Sequence, residues 1–140
     1  MAGVAVFVDS RGGNTRRVAD AIAEELGIVV GDIAAPLPGD ARLLFLGSGT
    51  YGSAPGAGMM KFIAAGSFAG RNVALFGTSG GDDGSVKMIA VMAEALEKKG
   101  ATVIGSWHSR GQFLLLNWGR PNEEDLAGAR KFAREMAASR

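Results

Sequence analysis

The sequence predicts one α/β domain, spanning 1–140, in which helices cover both faces of a parallel sheet. Two observations lead to this prediction. Five short apolar runs alternate with helix-like segments, an order that favours parallel strands joined by right-handed crossovers. Three of these runs, at 4–8, 43–46 and 73–76, show almost no polar alternation, as is typical of strands buried on both faces. We therefore expect a three-layer sandwich around a five-stranded sheet.

The apolar runs place the five strands at 4–8, 28–33, 43–47, 73–77 and 101–107. Four helices are predicted between and after them, at 15–26, 57–65, 85–99 and 123–138. Gly27 follows the first helix at a position where glycine commonly ends helices. Ser85 and Asn122 are expected to cap the third and fourth helices. The connection 34–41 contains two prolines and a glycine, which leave room for no more than a single helical turn.

Composition excludes several classes of function. The formal net charge is +1, so we expect no general attraction to nucleic acid or to an anionic membrane. The chain contains no cysteine, which excludes disulfides, thiolate metal sites and cysteine nucleophiles, and its single histidine argues against a zinc site. No stretch approaches the ~18 apolar residues of a membrane span, and no signal peptide is recognisable. We expect a soluble cytoplasmic protein without a metal.

The loop after the first strand has the composition of a phosphate-binding loop. Its residues are Ser10, Arg11, Gly12, Gly13, Asn14 and Thr15. Glycines let the backbone approach an anion, hydroxyl and amide side chains add donors, and the following helix offers unpaired N–H groups. The loop is not a Walker A sequence, which requires a lysine. Asp9, directly before it, is expected to point away from the site or to bond to backbone.

Three other interpretations of the strand-end loops are weaker. The glycines of 47–52 fit a dinucleotide-binding pattern, but Pro55 interrupts the helix that should follow. The segment 77–81 fits a nucleophile elbow with Ser79 as nucleophile, but the capping signals start the next helix near Ser85 rather than at the serine. A receiver-type signalling domain needs an acidic residue after the third strand and a lysine after the fifth, and the sequence has neither there.

Together these loops resemble those of the flavodoxin family. Residues 10–15 are similar to its phosphate loop, typically Ser/Thr-x-Thr-Gly-Asn-Thr. Residues 49–52, Gly-Thr-Tyr-Gly, are similar to its second flavin loop, and 76–78, Phe-Gly-Thr, to the start of its third. The resemblance covers essentially the whole chain. It implies a parallel sheet of strand order 2-1-3-4-5 with FMN at the point where the order reverses.

The resemblance also implies which residues bind FMN. They are Ser10, Arg11, Gly12, Gly13, Asn14, Thr15, Thr50, Tyr51, Gly52, Thr78, Ser79, Gly80 and Gly81. The loop 10–15 would hold the phosphate, although the Arg11 side chain itself is expected to be solvated. Tyr51 would stack on the flavin ring. Gly52 would place its peptide beside flavin N5, where flavodoxins reorient a peptide on reduction, and 78–84 would meet the pyrimidine edge.

The chain departs from the family pattern in three ways. Gly12 replaces the usual threonine, so one hydroxyl donor to the phosphate is lost. The third loop lacks the aromatic residue that usually covers the second face of the flavin. The chain is also nearly neutral, whereas typical flavodoxins are strongly acidic. One missing stacking contact costs on the order of 0.5–1.5 kcal/mol, so we expect FMN to bind more weakly than in typical members.

The function that the resemblance implies is electron transfer by bound FMN, with no catalytic side chain required, between a reductase and an acceptor protein. His108 is expected to be a surface residue rather than a proton donor. Two alternatives stay open. One is an FMN-dependent reductase, or a subunit of one, that acts on NAD(P)H or quinone-type substrates at the uncovered flavin face. The other is a flavin-free module that binds a protein partner. A monomer or weak dimer is expected.

Overall fold

The structure, a computed structural model, describes residues 3–81, 83–112 and 118–139. Strands and helices alternate along these residues, as the sequence predicts. In chain order they are β1 (Val4–Asp9), α1 (Asn14–Leu26), β2 (Leu43–Gly49), α2 (Ala57–Ala65), β3 (Asn72–Ser79), α3 (Gly84–Lys98), β4 (Thr102–Arg110) and α4 (Glu123–Ser139). The described strands form one parallel sheet in the order β1-β2-β3-β4. The prediction of a three-layer α/β sandwich is confirmed.

The prediction of a fifth strand at 28–33 is wrong. This segment lies beside β1, where the outermost strand of the order 2-1-3-4-5 was expected, but its backbone bond to β1 is that of Gly31 N–H to the Val6 carbonyl (2.8 Å). A side chain on Gly31 would place its Cβ 2.4 Å from the Phe7 ring. The chain then turns at Asp32, whose carboxylate accepts the amide two residues further on (2.8 Å). The segment ends before a ladder can form.

Two apolar clusters hold the three layers together, one on each face of the sheet. One lies between the sheet and helices α1 and α4, where Phe45 meets Phe132 edge to face with ring centroids 5.9 Å apart. The other lies under α2 and α3, where Phe7 packs against Phe62 at 4.8 Å. Every residue of β2 is buried. This two-sided burial explains why the central strands show no polar alternation in sequence.

The helix ends follow the sequence signals at two places and depart from them at a third. Gly27 ends α1 in the left-handed conformation, with φ of 69°. Asn122 caps α4, because its side-chain oxygen accepts the Asp125 N–H (2.9 Å) while the Asp125 carboxylate accepts the Asn122 N–H (2.8 Å). Ser85 does not cap α3, which begins one residue earlier at Gly84. Its hydroxyl is buried and donates to Ser79 Oγ (2.8 Å) instead.

Arg120 and Asp125 form a two-point ion pair beside the start of α4, with Arg120 Nη2 2.8 Å from Asp125 Oδ1. Partial burial acts to raise the pKa of Asp125. The hydrogen bonds from Arg120 and from the Asn122 amide, together with the Arg120 charge, outweigh that effect and hold this pKa below its usual value. The pair therefore favours the charged carboxylate at the helix N-terminus, where negative charge is stabilising.

Side chains from two other elements fix both ends of the short helix α2. Asp9, at the end of β1, accepts the Met59 N–H in its first turn (2.9 Å). A Cβ at Gly56 would lie 2.2 Å from the Asp9 carboxylate, so glycine is needed for this approach. At the other end, Lys99 Nζ donates to three carbonyls at 2.6 to 2.9 Å. The expectation that Asp9 bonds to backbone is confirmed.

The connection 34–41 contains no helix, as its prolines predict. The crossovers of the sheet carry α1 after β1, α2 after β2 and α3 after β3. None of the helices in the described ranges has both the length and the apolarity to cross a membrane.

Candidate cofactor site

The carboxyl ends of β1, β2 and β3 meet the N-terminus of α1 around a cavity of about 280 Å³. Its lining is polar and small, and no acidic residue is among the described residues that form it. The lining residues are Ser10, Gly12, Asn14, Thr15, Gly49, Thr50, Tyr51, Thr78, Ser79, Gly80, Gly111 and Gln112. Most of the predicted site residues are thus brought together. Four of them, Arg11, Gly13, Gly52 and Gly81, do not line the cavity itself.

The predicted phosphate loop forms a turn that leads directly into α1. Gly13 has a φ of 88°, in the left-handed region that favours glycine, and its N–H donates to Ser10 Oγ (3.2 Å). The first helical hydrogen bond runs from the Arg17 N–H to the Gly13 carbonyl (3.1 Å). The amides of 14–16 precede that bond, so they have no carbonyl partner within the helix. A Cβ at Gly12 would meet no atom within 4 Å, so the loop is open on that side.

Two buried threonines join α1 to the end of β3 across the cavity floor. Thr15 and Thr78 are 1% and 4% exposed, and their hydroxyl oxygens lie 2.8 Å apart. One hydroxyl donates to the other, so one O–H of the pair can still donate elsewhere. Gly49 of β2 lies below this bond, and a Cβ there would come within 3.4 Å of Thr15 Oγ1. Thr50 adds a third link by donating to the Thr78 carbonyl (2.9 Å).

The second loop contains a tight turn at 51–54. Tyr51 and Ala54 exchange both backbone hydrogen bonds (2.9 and 3.2 Å). Between them Gly52 and Ser53 have φ of 61° and 65°, as in a type I′ turn. Among the described residues other than glycine, only Ser53 has a positive φ. The turn therefore holds the Gly52 peptide in a left-handed conformation at the rim of the site.

Tyr51 leans over the phosphate loop in this structure. Its phenol oxygen accepts the Arg11 backbone N–H (3.0 Å), and the Arg11 guanidinium carbon lies 3.9 Å from the centre of its ring. A Cβ at Gly49 would come 2.5 Å from the same phenol oxygen. One face of the Tyr51 ring is therefore covered by Arg11. Stacking of Tyr51 on a flavin stays a prediction.

The loop after β4 adds two residues to the site that were not among the predicted site residues. Gly111 and Gln112 line the cavity, and Asn14 donates its side-chain N–H to the Gln112 carbonyl (2.9 Å). Asn14 thus ties the loop after β4 to the phosphate loop. The signal for this contact was only that the loop follows a strand. Residues 82 and 113–117 lie outside the described residues, so the third loop and the loop after β4 are described only in part.

The geometry around Ser79 does not suit a nucleophile elbow. Ser79 is the last residue of β3, and α3 begins five positions later at Gly84, whereas an elbow needs the helix to begin at the serine. The Ser79 hydroxyl donates to the Gly81 carbonyl (2.7 Å) and accepts from Ser85. His108 is exposed on β4, in agreement with the sequence expectation, and does not line the cavity. Across the described ranges, no three His, Asp or Glu side chains are grouped closely enough to hold a metal ion.

Similar solved structures cover nearly the whole chain. A Streptococcus pneumonia TIGR4 flavodoxin is 22% identical with a TM-score of 0.75, over 98% of this chain and 99% of its own. This chain has the flavodoxin-like fold. Flavodoxin 2 from Bacillus cereus is also 22% identical, with a TM-score of 0.75 over 99% of this chain and 100% of its own. The rubredoxin oxygen:oxidoreductase of Desulfovibrio gigas is 17% identical with a TM-score of 0.77, over 97% of this chain and 35% of its own. No protein-family model matches the sequence, and no curated protein is similar to it.

The cavity lies at the position in the flavodoxin-like fold where the cofactor was expected to bind. Four strands of the expected order 2-1-3-4-5 are present as β1, β2, β3 and β4, and the missing strand is the outermost one. The observed β1 and β2 are the first and third strands of the expected order, between which the order was expected to reverse. The cavity lies at the carboxyl ends of these two strands. Ligands of open α/β sheets bind in such crevices.

Proposed function

We propose that this chain binds FMN at the candidate cofactor site and transfers electrons between partner proteins. The observation that carries the proposal is the convergence of hydroxyl groups and unpaired helix amides in a 280 Å³ cavity at the carboxyl ends of three strands. The flavodoxin-like fold supports it, because the cavity lies where that fold was expected to bind the cofactor.

The donor set suits a phosphate. No carboxylate belongs to the described residues of the lining, and Asp9, which directly precedes Ser10, is turned toward α2. Ser10 Oγ already accepts the Gly13 N–H, so its own proton is available to an anion, and the Thr15–Thr78 pair has one further proton to give. A helix N-terminus with such donors stabilises a doubly charged phosphate without a lysine.

The cavity, at about 280 Å³, is slightly smaller than typical ligand pockets of about 300–1,000 Å³. It therefore suits the phosphate and sugar chain of FMN rather than the whole molecule. The flavin ring would lie at the mouth, between the turn at 51–54 and the third loop. When bound, FMN supplies the one- or two-electron chemistry. The chain's own residues then bind the phosphate, present one aromatic wall at Tyr51 and hold the Gly52 peptide at the rim. No side chain of the site needs to transfer a proton.

A second candidate function is an FMN-dependent reductase. Gly80 lines the cavity, and a Cβ at Gly81 would meet no atom within 4 Å. The third loop therefore leaves open space where an aromatic side chain would cover the flavin, and a flat substrate could stack there. Rapid anaerobic bleaching of the bound flavin by NAD(P)H, with no other reductase present, would favour this function over a carrier.

The test is a titration of the flavin-free protein with FMN and with riboflavin, which lacks the phosphate. We expect the fluorescence of FMN to be quenched when it binds, with one site per chain and a dissociation constant above the subnanomolar range. Riboflavin should bind at least tenfold more weakly. A protein that takes up neither flavin would refute the proposal and favour a flavin-free module that binds a partner. Equal affinity for the two flavins would refute the assignment of the phosphate site.

A further inference from the structure

A larger cavity, of about 830 Å³, runs along α2 from Gly58 in its first turn to Arg71, the residue directly before β3. It is enclosed by the connection 33–39 on one side and by α2 with the segment 65–71 on the other. The lining residues are Ile33, Ala34, Ala35, Pro36, Leu37, Gly39, Gly58, Lys61, Phe62, Ala65, Gly66, Ser67 and Arg71. The cavity exists because 34–41 forms no helix, so this part of the α2 face is covered only by an irregular segment.

The described walls of this cavity are mostly apolar, and their charged residues are all positive. Most of the lining is apolar, with Ile33, Leu37 and Phe62 as its largest apolar side chains. Its charged residues are both cationic, Arg71 and Lys61. No aspartate or glutamate of the described ranges lines this cavity. An apolar chamber with positive charge and no negative charge is complementary to an apolar anion.

Arg71 is the decisive residue, because its charge is buried. It is 8% exposed, and its Nη1 donates to the Pro38 carbonyl (2.6 Å). The described residues place no carboxylate within ion-pair distance of it. No fully buried side-chain nitrogen or oxygen among them lacks a hydrogen-bond partner. Nε and Nη2 form no bond of their own in this structure, so each of them stays accessible to solvent.

Two nitrogens of this guanidinium can therefore donate to an anion, and a charge-assisted pair of this kind is stronger than a neutral hydrogen bond. We propose that this cavity binds a small apolar carboxylate, such as a medium-chain fatty acid or an aromatic acid. The carboxylate pairs with Arg71, whose planar donor set matches it at two points. The apolar part lies among Ile33, Leu37 and Phe62, and Lys61 stands at the mouth. Arg71 lies apart from the cofactor site, since it precedes β3, whose eight residues put roughly 25 Å between Arg71 and the carboxyl end of that strand at about 3.3 Å per residue.

The test is calorimetric titration of the whole protein, with and without FMN, using sodium decanoate and 4-phenylbenzoate as probes. Acetate and 1-decanol serve as controls for the charge alone and the chain alone. We expect one saturable site for at least one of the two apolar acids, at least tenfold weaker binding of decanol, and no saturable binding of acetate. Saturable binding of neither acid would overturn the proposal, as would equal affinity for decanoate and decanol.

Variants then locate the site. Arg71→Met should lower the affinity for the acid at least tenfold and leave the affinity for decanol unchanged. The control is Lys87→Met, at an exposed lysine on α3, which removes one positive charge elsewhere and should change neither affinity. Ala65→Trp adds bulk to an exposed wall residue of α2 and should block both ligands, so it tests the site even if Arg71→Met does not fold. Unchanged acid binding in Arg71→Met, or in Ala65→Trp, would overturn the assignment.

Discussion

Replacing Thr15 by valine tests the phosphate site with almost no change of shape. The substitution removes the hydroxyl that lies 2.8 Å from Thr78 Oγ1 and that the proposal makes a phosphate donor. A hydrogen bond to a charged group contributes about 1.5–3 kcal/mol, which corresponds to a roughly 10- to 150-fold loss of FMN affinity. Riboflavin has no phosphate, so its affinity should not change. Fluorescence titration of both flavins measures the two effects on the same protein.

The same variant also changes stability, and this effect has to be separated from binding. Thr78 Oγ1 is left buried without its partner, which costs about 1–3 kcal/mol of unfolding free energy. The double variant with Thr78→Val removes both hydroxyls and should recover part of that loss. Thr102→Val, at an exposed threonine that begins β4, is the matched control. If FMN affinity falls less than threefold, or if riboflavin affinity falls equally, Thr15 does not hold the phosphate.

Three further predictions concern the elements that hold the site in place. Asp9→Ala removes the side chain that caps α2 and should lower the unfolding free energy by about 0.5–2 kcal/mol in denaturant titration, whereas Asp9→Asn, which keeps an acceptor, should cost less. Lys99→Met releases the three carbonyls at the other end of α2 and should cost about 1 kcal/mol, while Lys98→Met next to it, at an exposed side chain, should be nearly neutral. Asp125→Asn breaks the ion pair with Arg120 and should lower the thermal midpoint by a few degrees at pH 7. Because the folded pKa of Asp125 is lowered, its contribution is complete above the unfolded pKa of about 4 and disappears as the pH falls through the folded value. The difference in midpoint from the unmodified protein should therefore shrink below pH 4, and a constant difference down to pH 2 would contradict this account.

The sheet and its helices were largely predictable because burial on both faces leaves a strong trace in sequence. β2 is buried along its whole length and has an unbroken apolar start. Strand ends were harder, since β2 and β3 continue through polar residues to Gly49 and Ser79. Their neighbours in the sheet keep supplying backbone partners there, and apolarity no longer marks the strand. The segment 28–33 has strand-like composition, but ladder formation depends on length and on the turn at Asp32, which composition does not reveal.

The candidate site was predictable at the level of loops and less so at the level of side chains. Sequence motifs located the phosphate loop and the Thr50-Tyr51 loop, and nine of the predicted residues line one cavity. The hydrogen-bond partner of each side chain could not be predicted in this way, because it depends on packing across the sheet. Asn14 bonds to Gln112, ninety-eight positions away, and Thr15 bonds to Thr78, near the end of β3. Contacts of this kind depend on the register of three strands, which no local pattern encodes.

The contact between Tyr51 and Arg11 bears on how tightly the proposed cofactor can be held. To stack on the flavin through the face that Arg11 covers, Tyr51 would have to give up the guanidinium on its ring and the hydrogen bond from the Arg11 amide. Such a hydrogen bond contributes about 0.5–1.5 kcal/mol, and an exposed cation–π contact contributes about 0.5–1 kcal/mol. Their loss would weaken binding by roughly 5- to 70-fold before any new contact forms. This cost acts in the same direction as the missing second aromatic and the glycine at position 12. Stacking on that face would therefore make FMN binding weaker and more readily exchanged.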